Sequence, residues 1–404
     1  MEGQPPDDRR VELKRRRAAA RRSLLLRRVV AVGVAAVGTI AVWFLLFQGG
    51  DEESAAERGH PSGVSDPVAH LVERLTPAER VDQLLLLGFD GTDAGASMVR
   101  ELRTRQLGGV LVGPRNWVDA SQGAALVGTL RAAGIEGERI SPLLAVQQEG
   151  GPSRALPDLP PAERELDVGE SGDPATAEAW AREGGAALRS AGFDLNLAPV
   201  ADMGGIDSAV AGRAFAGDPQ TAAQMTAGAL RGCAQARIAC APSHFPGLGA
   251  ASQNTDDGPA TVSLDAASLA NRDLTAFRAA IAERAPAMVL SLAFYAAYDP
   301  VTPGALAPSV VTDLLRGELR YTGVAITDDL GAGAIKATYT VPEATVAAIA
   351  AGADMVQISA PADQRGVADA LLDAVRSGQI PEERLNEAVG RVLELKRSLG
   401  LLRL

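Results

Sequence analysis

Residues 323–330 read Gly-Val-Ala-Ile-Thr-Asp-Asp-Leu, an apolar run that ends abruptly in two carboxylates. Val324, Ala325, Ile326 and Thr327 are small or β-branched and predict a short buried strand, which puts Asp328 and Asp329 at its C-terminal rim. A carboxylate held there can act as a nucleophile or as an acid/base. A helix N-cap accounts comfortably for one Asp, so Asp328 is read as the reactive group and Asp329 as its structural neighbour. Other short apolar runs end similarly. Gln147, Gln148 and Glu149 follow 143–146, Asp202 follows 195–200, and Ser243, His244, Pro246 and Gly247 follow 238–241. Singly, each has a plain structural reading: Glu149 as a helix-start charge, Asp202 as a loop cap, His244 as a core histidine. Recurring at one end of consecutive strands, they read as one site.

The elements that must position these groups alternate along the chain. Strand-like runs fall at 109–112, 143–146, 195–200, 238–241, 288–292, 324–327 and 355–358, with 84–89 as an eighth. Helical patterns lie between them, at 175–191, 219–237, 269–284, 341–352 and 362–377, and 381–399 closes the chain with an apolar stripe. Thr76, Pro77 and Glu79 form a capping box at the start of the globular part. Seven or eight strands alternating with helices is the count of a (β/α)8 TIM-like barrel. A doubly wound open sheet is the structural alternative, but no Gly-rich dinucleotide fingerprint follows an early strand. One α/β domain over 67–404 is expected.

The net charge of −11 hides an asymmetry. Residues 1–28 hold ten Arg or Lys against four acids, about +6, which leaves about −17 for the remainder. That acidic remainder argues against nucleic-acid binding. Residues 29–47 carry no charge over nineteen positions, enough for a membrane-spanning signal anchor with the basic tail in the cytoplasm. A cleaved signal is the fallback. Residues 48–66 are polar and acidic and read as a linker, which puts the barrel outside the membrane. Cys233 and Cys240 are compatible with a disulfide or with two buried thiols. No His cluster has ligand spacing, so neither metal nor cofactor is expected.

Together the motifs resemble the N-terminal barrel of glycoside hydrolase family 3, in its single-domain β-N-acetylglucosaminidase branch. The resemblance runs from Leu75 to the C-terminus. It rests on Glu149-Gly150-Gly151, Ala198-Pro199-Val200-Ala201-Asp202, Gly212-Arg213-Ala214-Phe215, His244-Phe245-Pro246-Gly247 and Ile326-Thr327-Asp328-Asp329-Leu330, in the family's order. It implies that Asp328 is the nucleophile of a retaining, two-step mechanism, and that Arg213 and His244 hold the sugar. Glu149, Gln147, Asp202 and Arg154 join them as substrate-binding candidates.

Several positions depart from the family pattern. Gln147 stands where an Asp usually grips sugar hydroxyls. Pro152 and Ala155 replace arginines, with Arg154 as a partial substitute. Ser243 replaces a substrate-binding Lys, and Leu248 and Leu292 replace histidines. The family's Asp-Ser-His, whose histidine is the general acid/base, aligns with Asn254-Thr255-Asp256, which makes Asp256 the candidate proton donor. A solvated turn before Gly258-Pro259 is its structural reading. Two functions follow: a membrane-anchored hydrolase of β-linked amino sugars such as those of cell-wall fragments, or a catalytically inactive barrel that binds glycan or a protein partner at the cell surface. A monomer with a carbohydrate ligand is expected in both.

Overall fold

The computed structural model describes residues 64–137, 139–204, 208–251 and 253–402. The anchor expected at 29–47 lies outside them. No helix among the described residues is long and apolar enough to cross a membrane.

Eight parallel strands form the centre: β1 (Leu85–Leu87), β2 (Gly109–Leu111), β3 (Leu143–Val146), β4 (Leu195–Asn196), β5 (Ala239–Cys240), β7 (Ala287–Leu290), β10 (Val324–Asp329) and β11 (Met355–Ile358). They pair in the order β5-β4-β3-β2-β1-β11-β10-β7. The two ends of that order meet. Phe245 N–H donates to the Val289 carbonyl at 2.8 Å, Val289 N–H to Pro242 at 3.0 Å, and Ser291 N–H to Phe245 at 2.8 Å. The sheet is therefore a barrel, and the open-sheet alternative is ruled out.

Alternation along each strand sorts the side chains. Leu86, Leu143, Leu195, Val289, Ile326 and Met355 point into the barrel, where Val392 and Leu395 of the C-terminal helix Glu382–Ser398 join them. That helix plugs one mouth of the barrel and leaves the other for chemistry. Strand residues of the opposite parity, such as Leu85, Leu144 and Val356, pack outward on the helices.

The boundaries differ from expectation where side chains interrupt the pattern. The 195–200 run keeps only two ladder residues because its end forms part of the site, with the Ala198-Pro199 bond cis. The helix expected over 269–284 breaks at Arg272–Asp273 into Ala266–Asn271 and Leu274–Ala282. That expected over 362–377 becomes a 3-10 turn, Pro361–Gln364, then Val367–Arg376 after Gly366. A second small sheet, β6 (Thr261–Val262), β8 (Phe294–Tyr295) and β9 (Asp299–Pro303), was not expected. Its residues share an apolar cluster with Val210, Ala214, Leu248 and Ala251, beside the segments that carry Arg213 and Asp256. Cys233, at the end of helix Pro219–Ala236, is disulfide-bonded to Cys240 of β5, so the reading as two free thiols is corrected.

Candidate active site

Asp328 stands on β10, which runs two residues beyond the expected strand and takes in both acids. Asp329 has the structural role read for it: its Oδ1 accepts from the Gly331 and Ser359 N–H groups at 2.9 and 3.1 Å. Asp328 Oδ1 accepts from the Asp329 N–H at 2.8 Å, and Oδ2 lies 3.8 Å from His244 Nε2. Burial pushes the Asp328 carboxyl above its ordinary pKa; the neighbouring His244 opposes that shift and Asp256 adds to it.

His244 is set by Asp202. The imidazole Nδ1 lies 2.7 Å from Asp202 Oδ2, while Oδ1 accepts from the His244 and Leu248 N–H groups at 3.2 and 2.6 Å. Gly247 closes the turn by donating to the His244 carbonyl at 2.8 Å. Its φ of +129°, and an Asp273 Cβ only 2.4 Å from where a Cβ would stand, admit glycine alone. Burial works against protonation of His244, but the Asp202 carboxylate, with Asp328 beyond, outweighs it and raises the pKa. The Asp202 side chain is fully covered. It therefore orients His244 from behind rather than meeting a substrate.

A second pair stands across the site. Arg213 donates Nε to Glu149 Oε2 and Nη2 to Oε1, both at 2.7 Å, a bidentate fork with Glu149 almost fully buried. Burial opposes the Arg213 charge, yet Glu149 more than offsets it and raises the pKa. Gln147 Nε2 donates to Glu149 Oε1 at 2.7 Å, so it supports the acid. Gln148 fixes the chain around them by accepting from the Leu156 N–H and donating to the Leu156 and Leu159 carbonyls. Gly150 then turns with φ +91°, where a Cβ would meet the Glu163 carbonyl at 2.5 Å.

Gln147, Glu149, Arg154, Arg213 and Asp256 line one cleft of about 380 Å³. Asp256 is exposed on its wall, and its segment is anchored rather than free. The Gly333 N–H donates to the Asp256 carbonyl at 3.0 Å and the Ala334 N–H to Thr255 at 2.9 Å, tying it to the chain just beyond β10. All eight residues singled out in the sequence thus fall in this cleft or in the Asp202–His244–Asp328 array that adjoins it.

Three others were missed. Glu165 is fully buried, accepts from the Val200 N–H with both oxygens at 3.0 Å, and has its pKa pushed well up by burial and then by Glu149. Arg115 and Asn116, on the turn after β2, also line the cleft. The Pro-Arg-Asn triplet after an apolar strand was the available signal for that turn.

Comparison with known proteins identifies the family of the chain. Residues 76–395 match the glycosyl hydrolase family 3 N-terminal domain. The chain is similar to a beta-hexosaminidase of Stenotrophomonas maltophilia, 32% identical over 329 residues that span 79% of this chain and 91% of that protein. Among solved structures, a β-N-acetylhexosaminidase of Beutenbergia cavernae superposes with a TM-score of 0.74 at 30% identity, covering 80% of this chain and 99% of that one. A family 3 β-N-acetylglucosaminidase of a Paenibacillus species gives a TM-score of 0.77 at 32% identity over 81% of this chain. The match spans only 63% of that longer protein. The chain belongs to glycosyl hydrolase family 3.

Proposed function

We propose that the protein is a glycosidase that hydrolyses β-linked amino sugars of the N-acetylhexosaminide type with retention of configuration. The observation that carries this reading is the array Asp202–His244–Asp328, with a partly exposed carboxylate 3.8 Å from an imidazole and the Arg213–Glu149 fork beside the same cleft. The beta-hexosaminidase relatives supply the substrate class.

In this mechanism Asp328 attacks the anomeric carbon as the aglycone leaves, forming a glycosyl ester that water then hydrolyses. His244 and Arg213 hold sugar hydroxyls. Asp256, whose anchored segment brings it to the cleft, protonates the leaving oxygen and later takes the proton of the attacking water. Glu149, Gln147 and Arg154 shape the cleft, and Asp202 keeps His244 in place. The retained nucleophile and the intact Asp202–His244 pair disfavour a barrel that only binds glycan. The test is release of the aryl alcohol from an activated aryl β-N-acetylglucosaminide by the protein and by Asp328→Asn. Turnover that disappears in the variant is expected; equal turnover in both removes Asp328 from its role.

The protein is read as held at the membrane by residues 29–47 with the barrel outside. Support comes from the uncharged stretch behind an Arg-rich head and from the Cys233–Cys240 disulfide, since disulfides persist in oxidising compartments. Protease added outside intact cells should digest the barrel; protection would place it in the cytoplasm.

A further inference from the structure

The turn that carries His244 is held on three sides. Asp202 takes the His244 and Leu248 N–H groups on one. On another, Tyr295 of β8 donates its hydroxyl to the Gly247 carbonyl at 3.1 Å; burial pushes the pKa of that hydroxyl up, so it stays a donor. The third is Asp273, which lies against Gly247. A Cβ on that glycine would stand 2.4 Å from Asp273 Cβ and 2.9 Å from its Oδ1. The Asp273 side chain is fully buried, and among the described residues neither carboxyl oxygen has a hydrogen-bond partner. Its ion pair with Arg272 is long, 3.8 Å, and the arginine is more than a third exposed, so water screens it. An interior that supplies no donor favours the neutral acid over the carboxylate. Burial accordingly lifts the Asp273 pKa to about 6, with Arg272 opposing the rise and Asp202 adding to it. Nothing in the retaining mechanism calls for an acid at this place.

We infer that Asp273 is a positioning residue: its neutral form holds the His244–Leu248 turn against Asp202, and loss of its proton loosens that turn and with it the grip on His244. This deepens the glycosidase reading and rests on it for the role of His244. The charged and titratable groups that face Asp273 are Arg272 on its own segment, Asp202 from the chain after β4, and Tyr295 on β8. Once ionised, Asp273 and Asp202 put two carboxylates behind one turn, and the interior offers the second no donor. Displacing the turn lets water reach it. The sign follows from the raised pKa: the hold is complete below the ordinary value of 3.8 and is lost as pH rises through about 6. The gap between those two values bounds the effect at about a hundredfold in the equilibrium that opens the turn.

The experiment follows hydrogen exchange in the full-length protein between about pH 5 and pH 8, by mass spectrometry of the peptide that contains residues 244–248. Corrected for the intrinsic dependence of exchange on pH, opening of the turn should rise about tenfold over this interval in the wild type, the share of the hundredfold that lies above pH 5. It should stay flat in Asp273→Asn, which keeps the shape and cannot ionise. An aspartate that only filled space would change exchange in the variant by the same factor at every pH. If Asp273→Asn does not fold, Arg272→Gln carries the test: without the opposing cation the rise should begin at higher pH. The same proteins are assayed on an activated aryl β-N-acetylglucosaminide, where kcat/KM of Asp273→Asn relative to wild type should increase with pH. Exchange that depends on pH equally in wild type and Asp273→Asn, or a rise that begins at lower pH in Arg272→Gln, overturns the inference and leaves the glycosidase reading standing. Turnover absent at every pH, with exchange as expected, overturns the glycosidase reading; the hold on the turn survives, because exchange needs no substrate.

Discussion

Replacing Asp256 with Asn tests the part of the mechanism that the sequence leaves most exposed. The substitution removes one proton and one charge. It leaves the main-chain bonds from Gly333 and Ala334 that hold the segment, so the cleft should keep its shape. Its effect then depends on the leaving group. A disaccharide leaves as an alkoxide unless protonated, and general acid catalysis is worth about 10²–10⁴ in rate, or roughly 3–5 kcal/mol of barrier. A nitrophenolate leaves unaided, so formation of its glycosyl ester should change little. The assay is kcat/KM for an N-acetylglucosamine disaccharide and for 4-nitrophenyl β-N-acetylglucosaminide in both proteins. The disaccharide should lose about a hundredfold or more, against less than about tenfold for the aryl glycoside. Added azide should restore turnover of the aryl substrate by attacking the ester without a base. Equal losses on both substrates would refute Asp256 as proton donor and leave it as part of a solvated wall.

Other perturbations address the supporting groups. Glu149→Gln breaks the bidentate fork and leaves Arg213 under-compensated; because Arg213 is partly exposed, the cost should fall at the low end for a broken buried pair, about 3 kcal/mol. Denaturant midpoints and a raised KM would show it, whereas an unchanged midpoint would contradict the pairing. Asp328 has a folded pKa above its unfolded value, so its contribution to stability is fully present below the unfolded pKa and is lost as pH rises through the folded one. Asp328→Asn should accordingly melt higher than wild type at pH 7, with the difference vanishing near pH 3, and the acid limb of wild-type kcat/KM should lie above the ordinary carboxylate range. Replacing Cys233 and Cys240 together by Ser should lower stability by about 2–3 kcal/mol from loop entropy, as read by denaturant unfolding. No loss would mean that the unfolded chain gains nothing from the cross-link.

Much of this site is legible in the sequence because strand chemistry is local. The 324–327 run is small and β-branched, Asp328 follows it directly, and a barrel strand can present that residue only at its C-terminal rim. His244 was legible for the same reason, with Pro246 and Gly247 marking the turn beside it. What sequence could not give depends on groups brought together from afar. Glu165 sits in Glu163-Arg164-Glu165, which reads as a solvated charge run, yet it is buried against the Val200 N–H from another strand end. The Asn254–Asp256 segment looks like an exposed turn, and only its hydrogen bonds to Gly333 and Ala334 bring it to the cleft. The small sheet was missed because its strands are two to five residues long and β9 holds two prolines, Pro300 and Pro303, which demote any strand assignment. The 269–284 stretch reads as one continuous helix because no Gly or Pro interrupts it. Its break at Asp273, whose carboxyl is buried beneath Gly247, is a tertiary event.

The central claim is that Asp328 becomes covalently attached to the sugar. Intact-protein mass spectrometry after incubation with a fluorinated amino-sugar inactivator tests it most directly, because such a compound forms the ester and then loses it slowly. One added glycosyl mass is expected, found after proteolysis on the peptide that carries Asp328 and missing from Asp328→Asn. A label on another carboxylate, or turnover of the activated substrate with no adduct at all, would contradict it.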